Sequence, residues 1–163
     1  REKFGSFSGL KMCFIGDGNN MANSLIVGGL KVGMNVAVAT PDGYKPDGAV
    51  LEFTKGYGDK FALETDPFMA ASGADILITD TWTSMGEEAE KEERKKIFKD
   101  YQINRQLLAA ANAGAMVQHC LPAYRGQEIT EEVFEEHADE IFNEAENRLH
   151  AQKAVMVKLM KKD

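Results

Sequence analysis

The sequence predicts a single α/β domain with a parallel, Rossmann-like sheet of about five strands and helices on both faces. Short apolar runs alternate five times with segments of helical periodicity, an order typical of parallel strands joined by crossover helices. The length of 163 residues suits one domain with its own hydrophobic core. Polar segments follow several of the runs, at the strand ends where such sheets bind their ligands.

Five apolar runs are the predicted strands: Lys11–Ile15, Asn35–Ala39, Lys60–Glu64, Asp75–Thr79 and Ala115–His119. The fourth run reads as fully buried, which is typical of an inner strand of a parallel sheet. A turn, Thr40–Gly43, closes the second run, and Gly16 ends the first.

The first predicted helix spans Asn20–Lys31 and ends before Gly33, a stop signal. Its apolar residues recur at helical spacing on one face: Met21, Leu25, Ile26 and Leu30. Pro67 suits the first position of a short helix, and Thr130 is a natural N-cap. The other predicted helices are about Asp47–Tyr57, a charged helix over Glu87–Asp100, Asn104–Asn112, Thr130–Glu136 and a long final helix from about Glu144 to Lys161.

The composition is that of an ordinary globular protein, with 44% apolar and 28% charged residues. The net charge of −7 argues against nucleic acid as a partner. No apolar run approaches the roughly 20 residues of a membrane span, and Arg1–Gly9 does not resemble a secretory signal. The two cysteines, Cys13 and Cys120, form no disulfide framework, so we expect a reducing, cytoplasmic setting.

The segment after the first strand, Gly16–Met21, partly fits the dinucleotide fingerprint G-x-G-x-x-G. Met21 stands where the third glycine would allow close packing of helix on strand, which weakens that interpretation. Asn19 and Asn20 occupy the helix start instead, where amide groups and the helix N-terminus favour an anion such as a carboxylate. A plain N-cap would account for one asparagine, and the segment by itself leaves both interpretations open.

Two further strand ends carry chemically useful side chains. Asp80 could hold an ammonium group or cap the next helix, and Ser84 and Gly86 suit a mobile loop. His119 can donate to a developing oxyanion, while Cys120 can act as a nucleophile, a polar contact or packing. Their position at a strand end favours a site. We predict no metal there, because the two residues are consecutive and no third ligand is suitably spaced.

The final helix begins with Glu144-Ala145-Glu146-Asn147-Arg148. Arg148 could reach a carbonyl or phosphate oxygen with its planar fork of donors. The alternative is a surface ion pair with Glu144 on the same helix.

Four segments together resemble ornithine carbamoyltransferases in order and spacing: Gly16–Ser24, Asp80–Gly86, His119–Pro122 and Glu144–Arg148. The Ser84-Met85-Gly86 loop and the His-Cys-Leu-Pro segment are specific to that family. Aspartate carbamoyltransferases usually carry His-Pro-Leu-Pro and lack the loop, which argues for ornithine. The resemblance covers essentially the whole chain.

The resemblance implies that Asn20 binds the α-carboxylate of L-ornithine, helped by Ser84 and Met85. Asp80 would hold the α-ammonium group. It also implies that Asp80–Gly86 is a mobile loop that closes only when both substrates are bound.

For the reaction itself, the resemblance places Cys120 and the Leu121 carbonyl beside the attacking side-chain amine. His119 and Arg148 would donate to the carbonyl oxygen of carbamoyl phosphate and stabilise the tetrahedral oxyanion. The products would be citrulline and phosphate, with no metal or organic cofactor. A cis bond between Leu121 and Pro122 is a further expectation.

The resemblance also implies a missing part. The family's first domain carries Ser-x-Arg-Thr-Arg and His-Pro-x-Gln motifs, and this sequence has neither. We therefore expect residues 1–163 to be a single ornithine-binding domain without the carbamoyl-phosphate domain, and inactive alone. Its expected partners are L-ornithine, carbamoyl phosphate and that domain, and the full-length enzyme would be a homotrimer.

Three other interpretations remain. A nicotinamide-binding domain of an oxidoreductase would need a glycine where Met21 stands. An amino-acid-binding or regulatory module would keep the pocket without catalysis. A carbamoyltransferase for another amine, such as putrescine, is disfavoured by Asn20 and Asp80 as ligands of an α-amino acid.

Overall fold

The computed structural model describes residues 2–83 and 88–161 and contains the predicted parallel sheet. The five strands are β1 (Lys11–Ile15), β2 (Asn35–Ala39), β3 (Phe61–Glu64), β4 (Ile76–Thr79) and β5 (Met116–His119). Their order is β3-β2-β1-β4-β5, and every neighbouring pair is parallel. The order reverses between β1 and β4, so their carboxyl ends flank the crevice in which such sheets bind ligands.

Seven α-helices lie in the described part of the chain: α1 (Asn20–Lys31), α2 (Gly48–Thr54), α3 (Pro67–Ala71), α4 (Lys91–Phe98), α5 (Arg105–Ala110), α6 (Glu131–Glu136) and α7 (Ala138–Met160). Three short 3₁₀ segments, Lys55–Lys60, Glu88–Glu90 and Lys99–Tyr101, complete the connections. None of the helices described between residues 2 and 161 has the length and apolar character needed to cross a bilayer.

Several helix boundaries differ from the sequence prediction. The helices predicted over Glu87–Asp100, Asn104–Asn112 and Thr130–Glu136 are α4, α5 and α6 with the shorter bounds given above. Two further boundaries also differ. The helix predicted to reach Tyr57 ends at Thr54 and tightens into the 3₁₀ segment, in which Gly58 has φ 58°. The final helix begins at Ala138, well before Glu144, because its first turns supply Ile141, the residue of α7 that is buried in the core.

Each face of the sheet has its own apolar core, because alternate strand residues point to opposite sides. One face carries Cys13, Ile15, Ala37, Leu77 and Val117 and is covered by helices and by aromatic side chains after β4. The other face carries Met12, Phe14, Val36, Val38, Ile76 and Ile78 and packs against α1. On this second face, a cavity of about 610 Å³ lies between the sheet, α1, α7 and the first ten residues.

The edge strand β5 is lined by α7. The backbone N–H of Val117 donates to Glu140 Oε2 at 3.0 Å. One helical turn further along, the Glu144 carboxyl lies near the backbone N–H of His119, whose effect on the pKa of this carboxyl opposes that of burial. Two carboxylates spaced i, i+4 on one helix face therefore face successive outward N–H groups of β5.

Gly18 touches the main chain of the turn that follows β2, and its N–H donates to the Tyr44 carbonyl at 2.9 Å. A Cβ at this position would overlap the main chain of Tyr44, Lys45 and Pro46. We expect Gly18→Ala to lower the free energy of unfolding by about 1–3 kcal/mol, since the two loops must move apart.

Gly28→Ala is the matched control for this prediction, because a Cβ on Gly28 in α1 would meet open space. There the substitution removes glycine's entropic cost in a helix, and we expect stability to rise by about 0.5–1 kcal/mol. Urea unfolding of both variants measures the difference. Equal stabilities for Gly18→Ala and the unsubstituted chain would show that the two loops do not pack closely.

Candidate active site

The carboxyl ends of β1 and β4 meet through Asn19. Its Oδ1 accepts the backbone N–H groups of Met21 and Ala22, at 2.9 and 3.4 Å, and so caps α1. Its Nδ2 donates to Asp80 Oδ2 at 3.4 Å. Asn19 is thus the helix cap, while Asn20 is exposed, and its amide makes no hydrogen bond within the described residues. The cap accounts for one asparagine and leaves the other available at the helix N-terminus.

Cys120 brings β5 into the same cluster. Its thiol donates to Asp80 Oδ1 at 3.1 Å, and the same oxygen accepts the Thr81 N–H at 2.7 Å. Burial raises the pKa of the Cys120 thiol well above its usual range, and the hydrogen bond to Asp80 raises it further. Cys120 is therefore a neutral thiol at pH 7. Because the thiolate is the nucleophilic form, this geometry favours a hydrogen-bonding role.

His119 and Glu128 form a fully buried pair. His119 Nε2 lies 3.1 Å from Glu128 Oε1, and His119 Nδ1 accepts the Leu121 N–H at 2.9 Å. A neutral ring with this pairing carries its proton on Nε2 and donates it to Glu128. For His119 to donate to a substrate carbonyl, Nδ1 would have to gain a proton and exchange its Leu121 contact for that oxygen.

The remaining predicted residues occupy different surroundings. Leu121 has φ 55°, and its bond to Pro122 is cis, which confirms that prediction. Ser84 and Met85 lie outside the described residues, and so does Gly86 at the end of the predicted mobile loop. Arg148 is exposed on α7, one turn beyond Glu144, and the surface ion pair between them does not form in the described structure.

Glu144 lies beside the candidate site, and the sequence analysis assigned it no role there. It lies near the His119 N–H and has a buried Oε2 atom without a hydrogen-bond partner among the described residues. Burial raises the pKa of Glu144, and the nearby Asp80 charge acts in the same direction, whereas His119 lowers it. An acid-rich helix start gives no local signal of which carboxyl will be buried. Glu128, in a polar turn, was missed for the same reason.

Asp80, His119 and Cys120 each place one potential ligand atom within 4.8 Å of the others, a group that could hold a metal ion. Sequence reasoning considered only the consecutive pair and overlooked Asp80 as a third donor from the neighbouring strand. Because both nitrogens of His119 already take part in hydrogen bonds, a metal would have to displace Leu121 or Glu128 from the ring.

The raised pKa of Cys120 leads to a measurable prediction. At pH 7.5 we expect iodoacetamide to label the folded chain at least about tenfold more slowly than free cysteine, because little thiolate is present. Cys13 does not interfere, since burial raises its pKa to about 12. Asp80→Asn removes the negative charge beside the thiol, so the pKa falls and labelling accelerates.

Mass spectrometry of the labelled chain measures both rates, and urea-unfolded chain, in which both cysteines react, is the control. Labelling of folded Cys120 as fast as free cysteine would contradict the hydrogen bond to Asp80.

Known proteins resemble this chain in sequence over nearly its whole length. Residues 8–159 match the family model described as aspartate/ornithine carbamoyltransferase, Asp/Orn binding domain. An ornithine carbamoyltransferase of Gloeobacter violaceus is 56% identical over 164 residues, covering 98% of this chain and 52% of that protein. A Thermococcus kodakarensis ornithine carbamoyltransferase is 48% identical, again covering 98% of this chain and 52% of the relative.

Solved structures have the same fold. The crystal structure of ornithine carbamoyltransferase from Gloeobacter violaceus gives a TM-score of 0.87 at 51% identity, covering 99% of this chain and 55% of that one. The enzyme from Pyrococcus furiosus gives 0.85 at 47% identity, covering 95% and 51%. The chain spans about half the length of these relatives. On this sequence and structural similarity, the chain belongs to the aspartate/ornithine carbamoyltransferase family and matches its Asp/Orn-binding domain.

Proposed function

We propose that this chain supplies the ornithine-binding half of an ornithine carbamoyltransferase, which transfers the carbamoyl group of carbamoyl phosphate to the δ-amine of L-ornithine. The observation that carries the proposal is the contact between Asn19 and Asp80. It sets a helix N-terminus beside a carboxylate. An α-amino acid carries the complementary pair, a carboxylate for the helix end and an ammonium group for Asp80.

In this proposal the α-carboxylate of ornithine binds at Asn20, with Ser84 and Met85 contributing from the loop after β4. Asp80 holds the α-ammonium group. Its Oδ2 faces Asn19 and its Oδ1 faces Cys120, so both carboxylate oxygens are oriented by the protein before the substrate arrives.

The reacting amine then lies beside Cys120 and the Leu121 carbonyl. The neutral δ-amine attacks the carbonyl carbon of carbamoyl phosphate and a C–N bond forms. The C–O bond to phosphate then breaks, and the departing phosphate takes the proton that the amine nitrogen loses. Arg148 donates to the oxygen that becomes negatively charged between these two steps, and so does His119 once its Nδ1 carries a proton and has exchanged the Leu121 N–H for that oxygen. In this proposal the reaction uses no metal or organic cofactor, and the two free thiols fit a reaction in the cytoplasm.

We further propose a partner domain that binds carbamoyl phosphate, and a homotrimer for the complete enzyme. The chain spans about half of its relatives, and its sequence has no Ser-x-Arg-Thr-Arg motif. The distal part of α7 supports the same idea because its large apolar side chains are about half to four-fifths exposed: Leu149, Val155, Met156, Val157, Leu159 and Met160. Apolar surface of this extent usually marks an interface.

The test is to combine the chain with the separately expressed first domain of the Gloeobacter violaceus relative and to offer ornithine, putrescine or aspartate with carbamoyl phosphate. We expect citrulline from ornithine and no product from the other two amines. If putrescine were carbamoylated instead, the substrate would be putrescine and not ornithine. Binding of ornithine without any product would favour a regulatory module.

A further inference from the structure

Arg94 in α4 is a buried cation next to the candidate site. Its side chain is only 7% exposed. The guanidinium Nη1 donates to Asp17 Oδ2 at 2.6 Å and to the Trp82 carbonyl at 3.0 Å, and Nε donates to Glu90 Oε2 at 3.2 Å. The same group lies 5.1 Å from the centre of the Tyr44 ring. A buried charge is costly unless such partners compensate it.

Two of these partners belong to the two segments that form the amino-acid subsite. Asp17 lies in the turn after β1, directly before Gly18 and the Asn19–Asn20 pair. Trp82 is two residues beyond Asp80 at the end of β4. Through one nitrogen, Arg94 therefore connects the turn that carries the asparagines to the segment that carries the carboxylate.

A lysine could not reproduce this connection. Its ammonium is a compact point charge on a flexible stem, whereas the planar guanidinium directs its donors along fixed directions. Asp17 is itself only 12% exposed, so the pair is well shielded from solvent. The contact between Asn19 Nδ2 and Asp80 Oδ2 is long, at 3.4 Å, and by itself holds the two segments weakly.

We propose that Arg94 is a positioning residue for the amino-acid subsite: by joining Asp17 to the Trp82 carbonyl, it keeps Asn20 and Asp80 at the spacing of an α-carboxylate and an α-ammonium group. The inference rests on the proposed function and adds to it a residue that never touches the substrate. A loosened subsite binds ornithine less tightly in the ground state and in the transition state alike. The effect therefore falls on the KM for ornithine more than on kcat.

The experiment uses the chain combined with the first domain, and compares Arg94→Gln with Lys95→Gln. Lys95 is the next cation on α4 and pairs with Glu92 within the helix, at 2.8 Å. We expect Arg94→Gln to raise the KM for ornithine about tenfold or more and to leave the KM for carbamoyl phosphate within about twofold. Lys95→Gln leaves both constants unchanged. Arg94→Lys keeps the positive charge but loses the planar arrangement of donors, and we expect it also to raise the KM for ornithine.

A second variant separates positioning from stability. Arg94→Gln leaves a shielded carboxylate on Asp17, so its melting temperature falls. Adding Asp17→Asn removes that charge, and we expect the melting temperature to recover in part while the KM for ornithine stays high. Recovery of ornithine KM together with the melting temperature would overturn the proposal, because Arg94 would then act only through stability.

L-Norvaline supplies a readout that does not depend on catalysis. It has the α-groups of ornithine and lacks the δ-amine, so NMR titration of the chain combined with the first domain reports on the subsite alone. We expect Arg94→Gln to weaken norvaline binding as much as it raises the KM for ornithine. Unchanged norvaline binding would overturn the inference. Failure of the unsubstituted assembly to form citrulline would instead count against the proposed function.

Discussion

Residues 1–163 alone should form no measurable citrulline, and addition of a first domain should restore the reaction. In the proposed complex this chain supplies His119 and Arg148 as donors toward carbamoyl phosphate, and Arg148 is exposed. Two donors cannot orient a dianionic phosphate against an amine. Correct positioning of two reactants can contribute roughly 7–11 kcal/mol to lowering a barrier. The isolated chain should therefore bind ornithine feebly and turn over nothing.

A colorimetric citrulline assay measures this directly, with the chain alone, the first domain alone and the mixture. The proposal that this chain supplies only the ornithine-binding half requires that the mixture alone be active. Turnover by the isolated chain would contradict it, and so would a first domain that is active without the chain. The mixture carrying His119→Ala is a control for contaminating enzyme, since its activity should fall far below that of the unsubstituted mixture.

Asp80→Asn should lower kcat/KM for ornithine in the assembled enzyme by about 10²–10³-fold. The substitution keeps the size of the side chain and an oxygen that can accept the Cys120 thiol, but removes the negative charge that faces the α-ammonium group. Losing one partner of a desolvated charge pair typically costs about 2–5 kcal/mol. The KM for carbamoyl phosphate should change little, because Asp80 does not contact that substrate in the proposed complex.

Asp47→Asn is the matched control for Asp80→Asn. Asp47 caps α2 through its Oδ1 and the Ala49 N–H, at 2.7 Å, and asparagine caps a helix about as well. Initial-rate kinetics over a range of ornithine concentrations should show the control unchanged. If Asp80→Asn kept the KM and kcat of the unsubstituted enzyme, the α-ammonium would bind elsewhere.

The sheet could be predicted because each strand corresponds to a short apolar run that can be recognised locally in the sequence. Two strands, Lys11–Ile15 and Asn35–Ala39, have the predicted bounds, since each is an uninterrupted apolar run with a turn signal after it. The general rule that ligands bind at carboxyl strand ends then located Asp80, His119 and Cys120 without any knowledge of their contacts.

The partners of these residues could not be predicted from local patterns. Arg94 and Asp17 are 77 residues apart, and nothing in a charged helix tells which of its cations will be buried. Glu128 sits in a polar turn that reads as surface. Glu144 was read as the start of the final helix, because Ile141 and Phe142, the apolar pair in its earlier turns, are flanked by acidic and polar residues.

The contact of α7 with the edge strand β5 has a consequence for the resistance of this domain to aggregation. An edge strand with unpaired backbone groups is a template onto which a strand of another chain can add. Here Glu140 accepts the outward N–H of Val117 and the Glu144 carboxyl lies near that of His119, so an incoming strand would have to displace two carboxylates.

Hydrogen bonds from Lys3, His137 and Val117 more than offset the effect of burial and lower the pKa of Glu140, so its charge persists as the solution becomes acidic. The Glu140 part of this protection is therefore present above the ordinary pKa of a glutamate and is lost only as the pH falls through the lowered one. Burial raises the pKa of Glu144, so its charge is lost earlier as the solution becomes acidic. Detachment of α7, rather than melting of the sheet, is then the event that exposes a surface for fibre-like growth.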